Sequence, residues 1–285
     1  KIEMNIKSPK GVEYAVGASV GQTKTYRLQL CTQTGTGRQC LLQVAIEAAY
    51  NGILDRVSFV LRELAVKAVK LEEDYAKHRR YPEERLNYQF GFPEVVDSFV
   101  LKEHGGRRIN ILAFPCLEAR SPILNVSTLV LLHNILHKDN KLVDLRTSAW
   151  IMGKILKLLA FVHDHGVELG GMDLTTILIQ PDEHFVILFD WERARTHPEV
   201  VPLDQTRQEI MDAAKTVIIL LGGDRATRTF PEDVSTVEGF EPYTQYLLSL
   251  AAGSQANALI AHGEFYQLLK RMGWRGFHPF TITNR

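Results

Sequence analysis

Short runs of alternating hydrophobic and polar positions dominate the first part of the chain and are typical of β-strands. The runs are rich in β-branched and aromatic residues. They predict strands over residues 14–20, 25–31, 38–46, 95–102 and 108–114. Between the third and fourth runs, apolar residues recur at helical spacing from Asp55 to Leu71, which predicts one long helix. Its charged tail, residues 72–85, is interpreted as a solvated end or a loop.

The remainder of the chain has a different pattern, with long helical runs around one short hairpin. Residues 145–165 form a mostly apolar helical run, and residues 208–221 form another that stops at a Gly-Gly pair. The apolar runs 176–180 and 185–189 flank a Pro-Asp-Glu turn and predict a β-hairpin. Two or three further helices fit residues 242–272.

The order of these elements predicts an α+β fold in two parts that together form one domain. A five-stranded antiparallel sheet with one helix occupies residues 1–115, and a mainly helical part with the hairpin occupies residues 116–285. We expect a cleft between the two parts near residues 114–117.

Composition and charge restrict the classes of partner. The chain has 33 basic and 33 acidic residues, so its formal net charge of zero argues against a protein built around nucleic-acid phosphates. No apolar run reaches the roughly 18–20 residues that span a bilayer, and the longest, residues 151–162, contains two lysines. The first ten residues are polar and do not resemble a signal peptide. We therefore expect neither nucleic acid nor a membrane as partner.

The three cysteines, Cys31, Cys40 and Cys116, match neither a disulfide framework nor a metal-binding motif. We therefore expect a reducing, cytoplasmic setting. Two histidines, His163 and His165, lie close together near the end of the predicted helix. Because no third ligand accompanies them at metal-site spacing, they are interpreted as solvated surface residues.

The most specific stretch follows the long helix of the second part. Residues 163–167 read His-Asp-His-Gly-Val, a loop leads into the hairpin, and the hairpin ends in Asp-Trp-Glu at residues 190–192. This order resembles the catalytic loop and metal-binding strand end of the protein-kinase-like superfamily, and the Asp-Trp-Glu is similar to that of the aminoglycoside and choline phosphotransferase branch. The apolar helix over residues 212–223 resembles the helix that anchors the large lobe of kinases. The resemblance implies a bilobal protein-kinase-like fold with a β-rich N-lobe and a helical C-lobe.

The resemblance also implies ATP and Mg²⁺ as cofactors, but several positions depart from the family pattern. Gln43 stands where a lysine pairs with the nucleotide phosphates, and it has donors but no charge. We expect a polar exchange at Gln43 to disturb no packed core. The helix partner of that lysine would be Glu63, with an ordinary exposed glutamate as the alternative. The glycine-rich phosphate loop is reduced to Gly17 and Gly21, which also fit a plain hairpin turn.

In the loop before the hairpin, Gly171 takes the place of the catalytic aspartate and Thr176 that of the metal-binding asparagine. Asp173 would serve as the base only if the loop were shorter by two residues, and the alternative is a turn-capping aspartate. Asp190, at the end of an apolar strand, takes the place of the metal ligand. Its alternative role is to cap the following turn.

With the lysine, the base and one metal ligand replaced, the resemblance favours a pseudokinase. Such a domain would bind ATP weakly or not at all, beside Phe114 and Cys116, and would act as a protein-interaction scaffold or allosteric regulator. The alternative is an active, atypical phosphotransferase that moves the γ-phosphate of ATP to a small-molecule or protein hydroxyl through Asp190 and Asp173. A third interpretation is a non-kinase binding module whose hairpin imitates the pattern.

We expect a protein partner to bind at one of two surfaces. They are the charged stretch 72–85 and the aromatic C-terminal stretch 273–280. The second has aromatic side chains beside Arg275, the types enriched at interfaces. Its alternative is a tail packed against the helical part.

Overall fold

The computed structural model divides the chain into two compact units, Lys1–Thr128 and Leu129–Arg285. It describes residues 4–115 and 126–284. The predicted division between residues 115 and 116 falls at the edge of the segment outside the described residues. Cys116 and residue 117 of the expected cleft lie in that segment.

The first unit is built on one antiparallel sheet with the strand order β1-β2-β3-β4-β6-β5. The strands are β1 (Met4–Lys7), β2 (Glu13–Gln22), β3 (Tyr26–Gln33), β4 (Gln39–Ala45), β5 (Glu94–Leu101) and β6 (Arg107–Ala113). The sheet therefore has six strands rather than the predicted five. The additional strand, β1, has four residues and buries Ile6, so its alternation is too short to stand out in the sequence.

The two faces of this sheet are covered differently. One face carries a hydrophobic cluster that includes Ile6, Tyr14 and Leu42. The other lies under helix α1 (Asn51–His78), whose last buried residue is Ala68. The first part of the charged stretch 72–85, up to His78, is thus the solvated end of the helix, one of its two interpretations. Glutamate, lysine and alanine are good helix formers, so a solvated continuation needs no apolar face once the packed part is formed.

The second unit is mainly helical. Its helices are α2 (Leu132–His137), α3 (Leu145–Asp164), α4 (Leu203–Leu220), α5 (Glu232–Ser235), α6 (Phe240–Ala251) and α7 (Ala258–Arg271). Its strands are β7 (Val130–Leu131), β8 (Lys141–Val143), β9 (Val167–Glu168), β10 (Ile177–Gln180), β11 (Phe185–Leu188), β12 (Arg195–Thr196) and β13 (Ile282–Asn284). The predicted hairpin is present as β10 paired with β11, and β7 extends it on the other side of β10.

Helix α3 lies at the centre of this unit and packs against α4 and α7. It begins at Asp144, whose side chain accepts a hydrogen bond from the Thr147 N–H at 2.7 Å, an N-cap that satisfies one of the free donors of the first turn. The C-terminal stretch packs back in part, since Trp274 and Phe280 are buried while Phe277 is 77 % exposed. Across residues 4–115 and 126–284, no helix combines the length and apolarity needed to cross a membrane.

Candidate functional site

Gln43 lies in a buried hydrogen-bond network of the first unit. It is 3 % exposed, and its Oε1 accepts a 3.0 Å hydrogen bond from Nδ2 of Asn110, the residue opposite it in β6. Asn110 Nδ2 also donates to the Leu54 carbonyl of α1 at 3.0 Å. On the next strand, Ser98 Oγ donates to Asn110 Oδ1 at 2.7 Å. The expectation that an exchange at Gln43 would disturb no packed core is therefore wrong.

The same network fixes the start of α1 to β6. Arg108 Nη1 donates to Ser98 Oγ at 3.0 Å, and Arg108 Nη2 pairs with Asp55 of α1 at 3.2 Å. The Arg108 N–H donates to Asn51 Oδ1 at 2.6 Å, and Asn51 Nδ2 donates to the Gly106 carbonyl at 2.7 Å. Sequence reasoning missed Asn110, and the signal that could have found it is a lone amide in the middle of an apolar strand, where burial requires partners.

The other predicted residues of the first unit are spread over separate elements. Glu63 is exposed on α1, beside the buried Leu61 and Leu64, and forms no ion pair with another described residue. Phe114 follows β6 and is 1 % exposed. Cys116, which was predicted to lie beside a nucleotide, is outside the described residues.

Gly17 and Gly21 lie within strand β2, not in a turn. The pairing of β2 with β3 is irregular around both glycines. A Cβ at Gly17 would lie 3.3 Å from the Leu30 carbonyl oxygen, which explains the small residue there. The turn itself is formed at Thr23, whose Oγ1 accepts a hydrogen bond from the Tyr26 N–H at 3.1 Å.

In the second unit, a buried carboxylate holds the loop that resembles a catalytic loop. Glu209 of α4 is 2 % exposed, and its Oε1 accepts from the N–H groups of Leu169 at 2.5 Å and Gly170 at 2.9 Å. Its Oε2 lies 2.5 Å from Nε2 of His163. His163 is therefore a buried, bonded residue and not a solvated one. Sequence reasoning missed Glu209 because two of its three partners are main-chain groups about forty positions earlier in the chain.

Two glycines follow this anchor, and both have positive φ angles, +80° at Gly170 and +125° at Gly171. A Cβ at Gly170 would lie 2.4 Å from the Arg193 carbonyl oxygen. A Cβ at Gly171 would lie 3.1 Å from Nη2 of Arg193. The position predicted for the catalytic base thus has a conformation that only glycine adopts freely, with a guanidinium beside it.

Asp173 and Thr176 form a closed turn. Asp173 is exposed, and its Oδ1 accepts from the N–H and the Oγ1 of Thr175 at 2.7 and 2.5 Å. Thr176 is 3 % exposed, and its Oγ1 accepts from the Asp173 N–H at 3.0 Å and donates to the Asp173 carbonyl at 2.9 Å. The Thr176 carbonyl accepts from the Phe189 N–H at 2.9 Å, which ties the loop to the end of β11.

Asp190 is half-buried at the turn after β11. Its Oδ1 accepts from the Glu192 N–H at 3.1 Å, the bond of a turn-capping aspartate. The neighbouring Trp191 is 1 % exposed and donates from Nε1 to the Leu188 carbonyl at 2.7 Å. Within the described ranges, no group of three or more His, Cys, Asp and Glu side chains is arranged to hold a metal ion.

A cavity of about 370 Å³ borders Asp173 in the second unit. Its polar lining includes Asp212 and Lys215 of α4, whose carboxylate and amine lie 4.0 Å apart. Burial raises the pKa of Asp212 above its ordinary value, against the hydrogen bond that Gln208 Nε2 donates to Oδ1 at 2.8 Å. The remaining lining is formed by His133, Met172, Leu174, Thr175, Thr216 and Ile219.

The fold of this chain is similar to that of a solved kinase structure. A solved structure described as vaccinia related kinase 3 is similar to this chain with a TM-score of 0.60 and 14 % identity, over 95 % of this chain and 91 % of that one. At that identity the likeness shows the shared fold alone. No protein-family model and no curated protein matches the chain.

Proposed function

We propose that this chain is a pseudokinase, a kinase-fold domain that does not transfer phosphate and acts through protein contacts. The observation that carries the proposal is the engagement of Gln43. Its amide is neutral, 3 % exposed and bonded to Asn110, so it supplies no charge to a nucleotide phosphate. The loss of one charge-assisted phosphate contact is worth about 1.5–3 kcal/mol.

The loop of the second unit supports the same proposal. Gly171 supplies no base, and the Thr176 hydroxyl is engaged with the main chain of Asp173. A general base contributes about 10²–10⁴-fold to a rate. The residues at the lysine, base and asparagine positions therefore do not fit an ATP·Mg²⁺ site of the kinase kind.

The C-terminal stretch supports a protein partner. Phe277 is 77 % exposed and stacks on His184 with ring centroids 4.7 Å apart. Arg275 lies 4.7 Å from the ring centroid of the exposed Tyr266. Aromatic and arginine side chains that remain exposed are the types that contribute most to protein interfaces.

The test is direct measurement of phosphoryl transfer from labelled ATP with Mg²⁺. The acceptors are the protein itself, generic protein substrates, and amino-alcohol and aminoglycoside-like small molecules. We expect no transfer above background and, by calorimetry, no micromolar ATP binding. Micromolar binding that is lost in Asp190→Asn, together with turnover, would overturn the proposal.

One observation favours the alternative, an atypical phosphotransferase. The Asp173 carboxylate is exposed and lies at the edge of the 370 Å³ cavity, where an acceptor hydroxyl could reach it. In that case Asp173→Asn would remove the activity, whereas the control Thr175→Val, which removes only the hydroxyl donor to Asp173, would retain most of it. Activity that survives Asp173→Asn would exclude Asp173 as the base.

A further inference from the structure

Two cysteines of the first unit face each other across neighbouring central strands. The register pairs Cys31 of β3 directly with Cys40 of β4. Cys31 is 3 % exposed and Cys40 is 1 % exposed, and both belong to the hydrophobic cluster on the face opposite α1. The Cys40 thiol also lies 3.9 Å from the Arg38 carbonyl oxygen, to which it donates a hydrogen bond.

The hydrogen-bond pattern of the strands defines the spacing of this pair. In an antiparallel ladder, hydrogen-bonded pairs alternate with non-hydrogen-bonded ones. Gln33 and Arg38 form a hydrogen-bonded pair, since the Gln33 N–H donates to the Arg38 carbonyl at 2.8 Å. Cys31 and Cys40 face each other two positions further along the strands, so they also form a hydrogen-bonded pair. Such pairs have Cα atoms about 5.5 Å apart. That separation falls inside the range of about 4.4–6.8 Å that a disulfide spans.

The surroundings favour ionisation of one sulfur and leave space beside the pair. The hydrogen bond from the Cys31 thiol holds the pKa of Cys40 below its ordinary value, while the same bond and burial raise the pKa of Cys31. A cavity of about 180 Å³ borders Cys31 and is lined also by Val16, Gly17 and Leu30. Of the two cysteines, Cys31 alone lines this cavity.

We propose that Cys31 and Cys40 are a site of reversible oxidative modification, at which hydrogen peroxide or an organic hydroperoxide converts the two thiols into an intrachain disulfide. The ionised sulfur attacks one peroxide oxygen, the O–O bond breaks, and the departing oxygen takes a proton and leaves as water or alcohol. The resulting sulfenic sulfur is then attacked by the second sulfur, which gives up its proton as the S–O bond breaks and water leaves. Two electrons pass from the sulfurs to the peroxide.

Because a disulfide in this place closes the short β3–β4 hairpin, it restricts the unfolded chain. The oxidised protein is therefore more resistant to heat, with a midpoint about 3–6 °C higher than that of the reduced protein. The Cβ atoms of facing strand residues lie about 4.5–5.5 Å apart, slightly more than the distance in a relaxed disulfide. The bond is therefore readily reduced by dithiothreitol.

The test treats the folded chain with hydrogen peroxide, blocks remaining thiols with N-ethylmaleimide and maps disulfides by mass spectrometry. The parent is compared with Cys116→Ser, which removes the third cysteine, and with a matched control that combines Leu30→Cys and Cys31→Ser. The control moves one cysteine by a single position, and Leu30 pairs with Leu41 on the opposite face of the sheet. Circular dichroism verifies that each variant is folded.

We expect the parent and Cys116→Ser to form the 31–40 crosslink, to lose the mass of two hydrogens and to recover it with dithiothreitol. The folded control should form at least about ten times less of its crosslink, since side chains alternate between faces. Equal crosslinking in the control would show that the bond forms only in unfolded chains and would overturn the proposal. Sulfinic acid at Cys31 or Cys40 in the parent, without the crosslink, would also overturn the proposal. This outcome is read from the parent protein alone and does not depend on the folding of any variant.

Discussion

The two units both bury polar side chains, but the partners differ in kind. In the first unit, Gln43, Asn110 and Ser98 are neutral and bond mainly to one another. In the second unit, Glu209 is a carboxylate, and it accepts from the main chain of Leu169 and Gly170. A side chain can be replaced together with its side-chain partner, whereas a main-chain N–H remains after any substitution.

This difference predicts different tolerance to change. The facing amides Gln43 and Asn110 are exchangeable for apolar residues of similar shape at a lower cost, because the hydrogen bond between them disappears with both partners. The bonds that Asn110 makes to Ser98 and to the Leu54 carbonyl are the part of the network that such an exchange loses. A buried carboxylate that satisfies main-chain donors has no such replacement, since its removal leaves those donors without partners. The four predictions that follow test this contrast, in order of decreasing expected effect.

Removal of the Glu209 carboxylate is expected to have the largest effect. Glu209→Ala leaves two main-chain N–H groups and the His163 ring without an acceptor, so we expect a loss of about 3–5 kcal/mol in the free energy of unfolding. Urea denaturation measures it. Gln205→Ala, at an exposed position of the same helix, is the control and should change stability by less than about 0.5 kcal/mol. A loss at Glu209 as small as that of the control would contradict the contrast.

Truncation in the neutral network comes next. Asn110→Ala leaves Gln43 Oε1 without its donor and removes the bonds of Asn110 to Ser98 and to the Leu54 carbonyl, and we expect it to cost about 2–3 kcal/mol in urea denaturation. The double variant Gln43→Met with Asn110→Leu removes both amides and should be more stable than Asn110→Ala. A double-mutant cycle gives the coupling, expected at about 1–2 kcal/mol. If the double variant is the less stable of the two, the amides are not exchangeable and the comparison fails.

Lys154 tests a half-buried charge that forms no ion pair with a carboxylate among the described residues. Its amine lies 5.8 Å from the ring centroid of Trp150, and burial, with a smaller contribution from Lys157, lowers its pKa to about 8. The folded state therefore loses this proton before the unfolded state does, so stability should rise from pH 8 towards pH 10.5.

Lys154→Met should accordingly raise the free energy of unfolding at pH 7 by about 1–2 kcal/mol. This is less than the full pKa shift corresponds to, because the side chain is partly exposed and solvent screens its charge. The variant should also lose the increase at alkaline pH. Thermal unfolding at several pH values measures both effects, and Lys270→Met on the exposed surface of α7 serves as the control. An unchanged alkaline rise in Lys154→Met would assign the rise to another group.

The smallest effect is expected at Asp173, an exposed residue that caps a turn. Asp173→Ala removes the acceptor of two hydrogen bonds from Thr175 and should cost about 0.5–1 kcal/mol by urea denaturation. Asp173→Asn keeps an acceptor oxygen and should recover most of that loss. A cost as large as that of Glu209→Ala would mean that the exposed turn, and not the buried anchor, holds the loop.

Much of the fold could be predicted because burial leaves a periodic trace in the sequence. Five of the six sheet strands, α3 and the β10–β11 hairpin were all predicted close to their observed bounds. Strand β1 was not predicted, because it is too short to show alternation. The end of α1 was left open between a solvated helix end and a loop, because it is helical without a buried face. Strand β1 is stabilised by its pairing with β2, and the end of α1 by the bonds between Glu72 and the main chain of Leu86 and Asn87. Local sequence reveals neither partner.

The candidate site was less accessible to sequence reasoning. The resemblance to the kinase-like pattern assigned roles to Gln43, Gly171 and Thr176, but it did not give what each side chain contacts. Asn110 went unnoticed as a single amide in an apolar strand, and Glu209 as one of several polar residues in the first half of α4. Both have partners far away in sequence. A pattern of residue types records which positions are buried, and the choice of hydrogen-bond partner depends on the three-dimensional register.

Helix α1 has a further consequence for local dynamics. Its buried residues end at Ala68, yet it continues to His78, and Glu72 accepts hydrogen bonds from the N–H groups of Leu86 and Asn87 at 2.9 and 3.1 Å. Main-chain amides before Ala68 are released only when the sheet and helix separate, whereas those after it need only local fraying. Amide hydrogen exchange should therefore divide this single helix into a slow half and a fast half, with Glu72 setting how fast the second half opens.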